Sequence, residues 1–347
     1  MQNIIHITIP YQSLIRIVVL SLVGFLLSMA ITPLFTFLAY KYKWWKKART
    51  EAWSGGQATV YAKLHAEKHQ RNIPNMAGLI FVITILIVTL AFNLNRGQTW
   101  LPLAGMIAAA VIGLLDDIMN IRGFNKKIAG MQSKMKFGLY SLVALVGGWW
   151  FYSRLGIHSF YLPYFHNIAV GWFIIVIFWI VVISTANSVN ITDGLDGLAG
   201  GLLSTSFATY AFIAVVENKY ALAAFCLTIV GALMSYTWFN IFPARFFMGD
   251  VGAFAMGTAL GFVVMQTNTI YVLPFVGFVY VMETGSVIIN RISKKLRNGK
   301  KVFLSSPIHH HFEAKGWPET KVTMRFWIIG QASSILGLIV FLFGKGF

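Results

Sequence analysis

Among its 347 residues the chain carries a single cysteine, Cys226, and only eleven carboxylates. One thiol builds neither a disulfide framework nor a cysteine-based zinc site. Its place inside an apolar stretch gives it the character of a small buried hydrophobe. Charged residues make up 11% of the chain, where a soluble domain has about a quarter. Long polar segments are missing as well: the two longest, 41 to 73 and 291 to 324, are too short to hold a core of their own. These absences exclude water as the main solvent and exclude a separate soluble domain.

What is present is apolar. Hydrophobic residues form 57% of the chain and the mean hydropathy is +0.69. Apolar stretches near the length of about 20 residues that a helix needs to cross a bilayer recur between short polar connections. They predict ten spans, at 14 to 40, 74 to 94, 99 to 119, 134 to 152, 169 to 189, 196 to 216, 220 to 241, 250 to 268, 270 to 290 and 325 to 343. The first is too long for a signal-peptide core and leads into a basic loop, so it is expected to be a membrane helix. With no internal repeat and no low-complexity tract, the expected architecture is one all-α, polytopic membrane domain covering 1 to 347.

Charge orients the bundle. The connections after spans one, three, seven and nine, with their flanks, hold 23 of the 28 Lys and Arg residues. Arg16, Arg96, Arg154, Lys219 and Lys345 lie on the other side. The positive-inside rule then faces the basic loops to the cytoplasm and puts both termini outside. A net charge of +17 beside hydrophobic spans, without base-stacking aromatics interleaved, points to anionic lipids and anionic substrates and away from nucleic acid.

The scarcity of acids makes their positions informative. All five aspartates, Asp116, Asp117, Asp193, Asp196 and Asp250, fall at predicted helix ends on the basic side. Carboxylates near hydrocarbon are costly and mark function, because each needs a cation, a proton or water. Asp116 and Asp117 close the third span and point about 100° apart, so one suits taking a proton while the other holds a cation or positions a lysine. Between spans five and six, Asn187 and Asn190 are one helical turn apart, as are Asp193 and Asp196, so that each pair is expected on a common face. Thr192 or Asp193 is a candidate helix cap there. Gly249-Asp250-Val251-Gly252 opens the eighth span, its glycines leaving room for a phosphate-bearing substrate beside a carboxylate-held cation.

Two further groups complete the set. His309, His310 and His311 are expected in an extended loop, where three consecutive rings do not face one metal and lack the spacing of a zinc protease. They suit holding phosphate oxygens or relaying a proton. Glu283, within the ninth span, is either a proton-relay group or a paired structural acid.

These residues carry a resemblance. Leu115-Asp116-Asp117, Asn187 through Ala199, Phe247 through Gly252, Glu283-Thr284, Pro307 through Glu313 and Gly316-Trp317 resemble the polyprenyl-phosphate N-acetylhexosamine-1-phosphate transferases. The Pro-Ile-His-His-His-Phe-Glu run, followed by Arg325-Phe326-Trp327, is similar to their phospho-N-acetylmuramoyl-pentapeptide branch. The resemblance implies ten helices, both termini outside, and a cytoplasmic cleft. There undecaprenyl phosphate attacks UDP-N-acetylmuramoyl-pentapeptide in a bacterial cytoplasmic membrane, giving UMP and lipid I for peptidoglycan synthesis.

The same resemblance implies Asp116, Asp117, Asp250 and His309 as catalytic residues, with Mg²⁺ on Asp250 and Asp117. Lys134, Asn187, Asn190, Asp193, Gly194, Leu195, Asp196, Asn240, Phe247, His310, His311 and Arg71 are implied as substrate-binding, and a homodimer is consistent with the family. Two stretches depart from the family pattern. A Thr-Pro-Thr-Met-Gly-Gly run is replaced by Asn72-Ile73-Pro74-Asn75-Met76-Ala77-Gly78, with Arg71 or Lys68 standing in for its basic residue, and Asn120 stands where a lysine is common.

Other functions use parts of the same pattern. A UDP-N-acetylglucosamine:polyprenyl-phosphate transferase shares the aspartates but not the full histidine run. An ion-coupled transporter also places acids among membrane helices, but near midplane and commonly within repeats. Here the polar motifs gather on one face.

Overall fold

The computed structural model describes residues 10–45, 72–123 and 130–346. Its helices are α1 (Tyr11–Lys41), α2 (Gly78–Phe92), α3 (Trp100–Arg122), α4 (Ser133–Ser153), α5 (Ile174–Thr192), α6 (Leu198–Val216), α7 (Tyr220–Asn240) and α8 (Gly249–Gln266). After them come α9 (Leu273–Val276), α10 (Phe278–Leu296), α11 (Ile308–Ala314) and α12 (Glu319–Lys345). Every apolar stretch read from the sequence falls on a helix. Among the described residues seven helices are long and apolar enough to cross a membrane, or up to eight if a sharply bent pair is one span. The chain is an integral membrane protein, nearly all helical.

Three features differ from the expectation. An antiparallel hairpin, β1 (Ser159–Leu162) with β2 (His166–Ala169), joins α4 to α5 in the register Ser159 to Ala169. Its four-residue strands are too short for a periodic signal, and Tyr164 and His166 turn it with positive φ. The ninth span is broken: Ile270–Val276 and Phe278–Leu296 meet at 80°. Gly277 sits at the break, where a Cβ would press on the Leu273 carbonyl. Finally, α2 has only 15 residues, and at 1.5 Å per residue it is shorter than the roughly 30 Å hydrocarbon core.

The helix interfaces explain how polar groups reach one place. All of α8 from Val251 to Gln266 is buried, packed against α3 and α5. Small residues let its backbone approach its neighbours, the usual device where lipid supplies no hydrophobic drive between helices. A Cβ on Gly113 of α3 would overlap the Asp250 carbonyl, and one on Gly78 of α2 would overlap Gly252. The outer helices behave in the opposite way. Leu14, Val18, Leu22 and Leu26 of α1, and Ile328, Ile335 and Ile339 of α12, are exposed apolar side chains, as a lipid-facing surface requires.

The two ends of the bundle are chemically distinct. At one, the end of α6 meets the end of α12: Glu217 binds Lys219 at 2.6 Å and Lys345 at 2.9 Å. At the other, the ends of α3, α5 and α7 meet the starts of α4, α6, α8 and α12. All five aspartates stand there.

Candidate active site

Asp116 and Asp117 occupy the last two turns of α3 and are both buried. Neighbours on a helix diverge, and so they do here. Asp116 turns toward α4: its Oδ1 accepts the Met131 N–H at 2.6 Å, and its Oδ2 accepts Lys136 Nζ at 2.8 Å and Asn120 Nδ2 at 3.0 Å. Asp117 turns toward α8, where its Oδ2 accepts the Val251 N–H at 3.0 Å. Its Oδ1 accepts Asn75 Nδ2 at 2.8 Å.

Asp250 lies in the first turn of α8. Its Oδ2 meets Lys136 Nζ at 2.5 Å. One ammonium thus bridges carboxylates from two helices, over the face of the Phe254 ring. Two carboxylates around one lysine leave the centre with formal negative charge. Asp250 keeps 16% side-chain exposure, against 3% for Asp116. It is the more open of the two carboxylates that share Lys136.

The stretch before α2 completes this wall. The Asn75 N–H donates to the Trp44 carbonyl at 2.6 Å. The Phe247 N–H donates to Pro74 O at 2.8 Å, Ala77 N–H to Phe247 O at 3.0 Å and Gly78 N–H to Met248 O at 2.9 Å. The backbone before α8 is therefore clasped to the backbone before α2, which holds Asp250 next to Asp117. Asn75, noted in the sequence only as a departure from a family pattern, is a buried partner of an acid.

The α5–α6 turn forms a second wall. Asn187 and Asn190 lie half-buried in the last turns of α5, as their spacing predicts; Asn187 Nδ2 donates to Ile183 O at 2.8 Å. Asp193 and Asp196 do not share a helical face, because α5 ends at Thr192 and α6 starts at Leu198. Neither Thr192 nor Asp193 caps a helix start; Thr192 is a last-turn residue whose hydroxyl bonds Ser188 O at 2.8 Å. Asp196 turns inward and accepts the Ala244 N–H at 3.0 Å, while its own N–H donates to Glu319 Oε1 at 2.6 Å. Asn240 is a buried brace, accepting the Gly197 N–H at 3.0 Å and donating to Phe246 O at 2.9 Å. Leu195 is buried in the apolar core, and Phe247 is half-buried.

The histidines correct the expectation of an extended loop. They lie on the seven-residue helix α11, whose single turns send consecutive side chains in different directions. His309 Nδ1 pairs with Glu283 Oε2 of α10 at 2.9 Å, and His310 Nδ1 pairs with Glu313 Oε2 at 2.6 Å. His311 Nδ1 accepts the Leu304 N–H at 3.1 Å. Partial burial, and then the nearby Lys315, lower the His311 pKa below the usual histidine range. That leaves its Nδ1 available as an acceptor at neutral pH.

Not every expected residue joins this centre. Lys134 stands exposed on α4, two positions before Lys136 and thus on a different side of the helix. Arg71 lies outside the described residues. Lys136, Asn75 and Glu319 were missed by the sequence reading. Lys136 carried a signal in being four residues before Tyr140 on the inward stripe of α4, whereas nothing in the sequence singled out Asn75 as a partner of Asp117.

Comparison with known proteins follows the same residues. A family model described as glycosyl transferase family 4 matches residues 99–268, the stretch from α3 to the end of α8. Phospho-N-acetylmuramoyl-pentapeptide-transferase of Chloroflexus aggregans is 33% identical over 348 aligned residues, covering 96% of this chain and 92% of that one. The protein of that name from Listeria monocytogenes is 33% identical, covering 96% of this chain and all of its own. The chain belongs to the phospho-N-acetylmuramoyl-pentapeptide-transferase family. A third member, from Lactobacillus helveticus, is 38% identical over 78% of this chain and 85% of its own length. Membership of this phospho-sugar transferase family gives the acid and lysine centre a chemical context, since phosphoryl chemistry depends on positioning and charge more than on covalent groups.

Proposed function

We propose that the chain transfers phospho-N-acetylmuramoyl-pentapeptide from its UDP conjugate to undecaprenyl phosphate. Lipid I and UMP are the products, and the reaction takes place at the cytoplasmic face of a bacterial membrane. The observation that carries this reading is the Asp116–Lys136–Asp250 bridge, set at the same end of the bundle as the α5–α6 turn and α11. The distribution of Lys and Arg supports the cytoplasmic facing, with both termini outside and ten spans.

In the proposed step an oxygen of the lipid phosphate attacks the sugar-linked phosphorus of the donor. The phosphorus–oxygen bond to UMP breaks, UMP leaves with that oxygen, and a diphosphate joins lipid to sugar. Asp116 or Asp117 orients the lipid phosphate or takes its proton, and Lys136 stabilises charge growing on the transferred group. Asn187, Asn190 and Asp193 face the nucleotide-sugar, with His310 and His311 beside its phosphates. A route through an aspartyl-phosphate uses the same residues; trapping a phospho-enzyme with donor alone overturns direct attack.

The donor set also suits Mg²⁺. Its carboxylates offer the hard oxygens that suit an ion taking one or two carboxylates and completing its shell with substrate phosphates and water. Asp250 and Asp117 would hold it, and it would neutralise the diphosphate.

The test is UMP release by purified protein given undecaprenyl phosphate and UDP-N-acetylmuramoyl-pentapeptide, with and without Mg²⁺, beside an Asp250→Ala variant. Metal-dependent release that the variant loses is expected. No release from folded protein with this donor, but release with UDP-N-acetylglucosamine, moves the assignment to the related transferase.

A further inference from the structure

Glu283 and His309 are the most enclosed ionisable pair of the site, with no side-chain exposure at all. Glu283 comes from α10, the longer arm of the broken span, and His309 from α11. A carboxylate beside Nδ1 accepts a hydrogen bond from its N–H and so keeps the ring proton on that side, which leaves Nε2 as the nitrogen with the lone pair. Nε2 abuts Gly194 in the α5–α6 turn so closely that a Cβ there would overlap it.

The pair is also incomplete. His309 Nε2 and Glu283 Oε1 are buried and have no hydrogen-bond partner among the described residues. Buried polar atoms are paired in the great majority of cases, and each exception calls for a reason. Two orphaned acceptors in one enclosed pair, against the turn that carries Asp193 and Asp196, mark a place for a donor that the described residues do not supply. Ser188 and Thr284, joined by a 2.9 Å hydroxyl bond, tie the same two helices, α5 and α10, beside it.

We propose that Glu283 is a positioning residue. It fixes the tautomer of His309 and aims Nε2 at the Gly194 turn, where Nε2 accepts a hydrogen bond from an N–H or O–H of the nucleotide-sugar as that turn gives way. Gly194 is then required for its lack of a side chain on the far side of the ring. This inference rests on the transferase reading above.

The test uses full-length protein labelled with ¹⁵N-histidine, with the His309 signal identified by its loss in His309→Gln. Expected are a protonated Nδ1 and an unprotonated Nε2 whose signal moves on adding UDP-N-acetylmuramoyl-pentapeptide. Glu283→Gln loses the tautomer preference and lowers kcat for UMP release about 10- to 100-fold, the order lost when a metal-bound histidine loses its outer partner. Its thermal midpoint stays close to that of the unaltered protein, and Glu283→Asp recovers part of the rate. A purely structural role predicts a lowered midpoint with an unchanged tautomer, which overturns the proposal. So does a Nε2 signal indifferent to the nucleotide-sugar.

If Glu283→Gln does not fold, Gly194→Ala tests the other side of the ring. A raised KM with the His309 tautomer intact is expected, and unaltered kinetics overturn the proposal. A protein that shows the tautomer and the ligand-induced shift but releases no UMP with any polyprenyl phosphate instead overturns the transferase reading.

Discussion

Lys136 Nζ lies 2.5 Å from Asp250 Oδ2 although 114 positions separate the two residues. The same ammonium reaches Asp116 Oδ2 at 2.8 Å. Removing it leaves two carboxylates facing each other with no cation between them. Lys136→Met is therefore expected to cut UMP release by about 100-fold or more, the order seen when one preorganised electrostatic partner is lost. Lys134→Met, on the exposed side of α4, is expected to retain most of the activity. Parallel assays of the two variants check the assignment; equal losses would show that both lysines reach substrate.

Asn75 is the buried partner of Asp117, at 2.8 Å. Asn75→Ala takes one donor from an enclosed carboxylate, and a hydrogen bond to a charged group is worth about 1.5–3 kcal/mol. A lower thermal midpoint together with reduced activity is expected. Asn75→Asp sets a second negative charge against Asp117 and is expected to lose more of both. Calorimetry in one detergent and the UMP assay measure the series.

Gly113 gives a packing test. Adding a methyl group there presses on the Asp250 carbonyl, and overpacking a tight interior typically costs about 1–3 kcal/mol. Gly113→Ala is expected to lower both stability and activity, because the strain falls on the first turn of α8. Gly138 of α4 is the control, since a Cβ there meets nothing within 4 Å. Gly138→Ala is expected to be neutral or to stabilise by up to about 1 kcal/mol through helix propensity. Thermal midpoints of the two variants distinguish a local clash from a general cost of altering membrane helices.

His311 carries the pH dependence. Its pKa is lowered in the folded state, so the unfolded chain binds more protons on the acid side of neutrality and stability falls as pH falls. The stabilisation is whole above the ordinary histidine range and is lost on descending through it toward the lowered value. Protonation also takes from Nδ1 the lone pair that accepts the Leu304 N–H. Hydrogen exchange at the Leu304 amide, corrected for its intrinsic pH dependence, is expected to quicken on acidification in the unaltered protein and to lose that dependence in His311→Ala.

Much of this site was legible because acids are so rare in the chain. Asp116, Asp117, Asp193, Asp196 and Asp250 stood out against an apolar background, and all reached one end of the bundle. Their individual partners were not legible. Whether Lys134 or Lys136 meets the acids depends on the rotation of α4 about its axis, which two basic positions so close in sequence do not reveal. The shared face expected of Asp193 and Asp196 failed because α5 stops between helix and turn, before either acid. The three histidines looked extended because a seven-residue helix is too short to show a period. Asn75 drew notice as a difference in type, while its role arises from the pairing of its neighbours Pro74, Ala77 and Gly78 with Phe247 and Met248, which no local pattern encodes.

That backbone pairing has a consequence for biogenesis. The amides of Ala77 and Gly78 are made early, but their acceptors, the carbonyls of Phe247 and Met248, emerge only after helices α2 to α7 have been synthesised. Until then, those amides lack the acceptors they have in the folded protein. A nascent chain stopped just short of Phe247 would hold Asp116 and Asp117 without the wall that encloses them. The assembly of the end that carries the five aspartates thus waits for the synthesis of the residues just before α8.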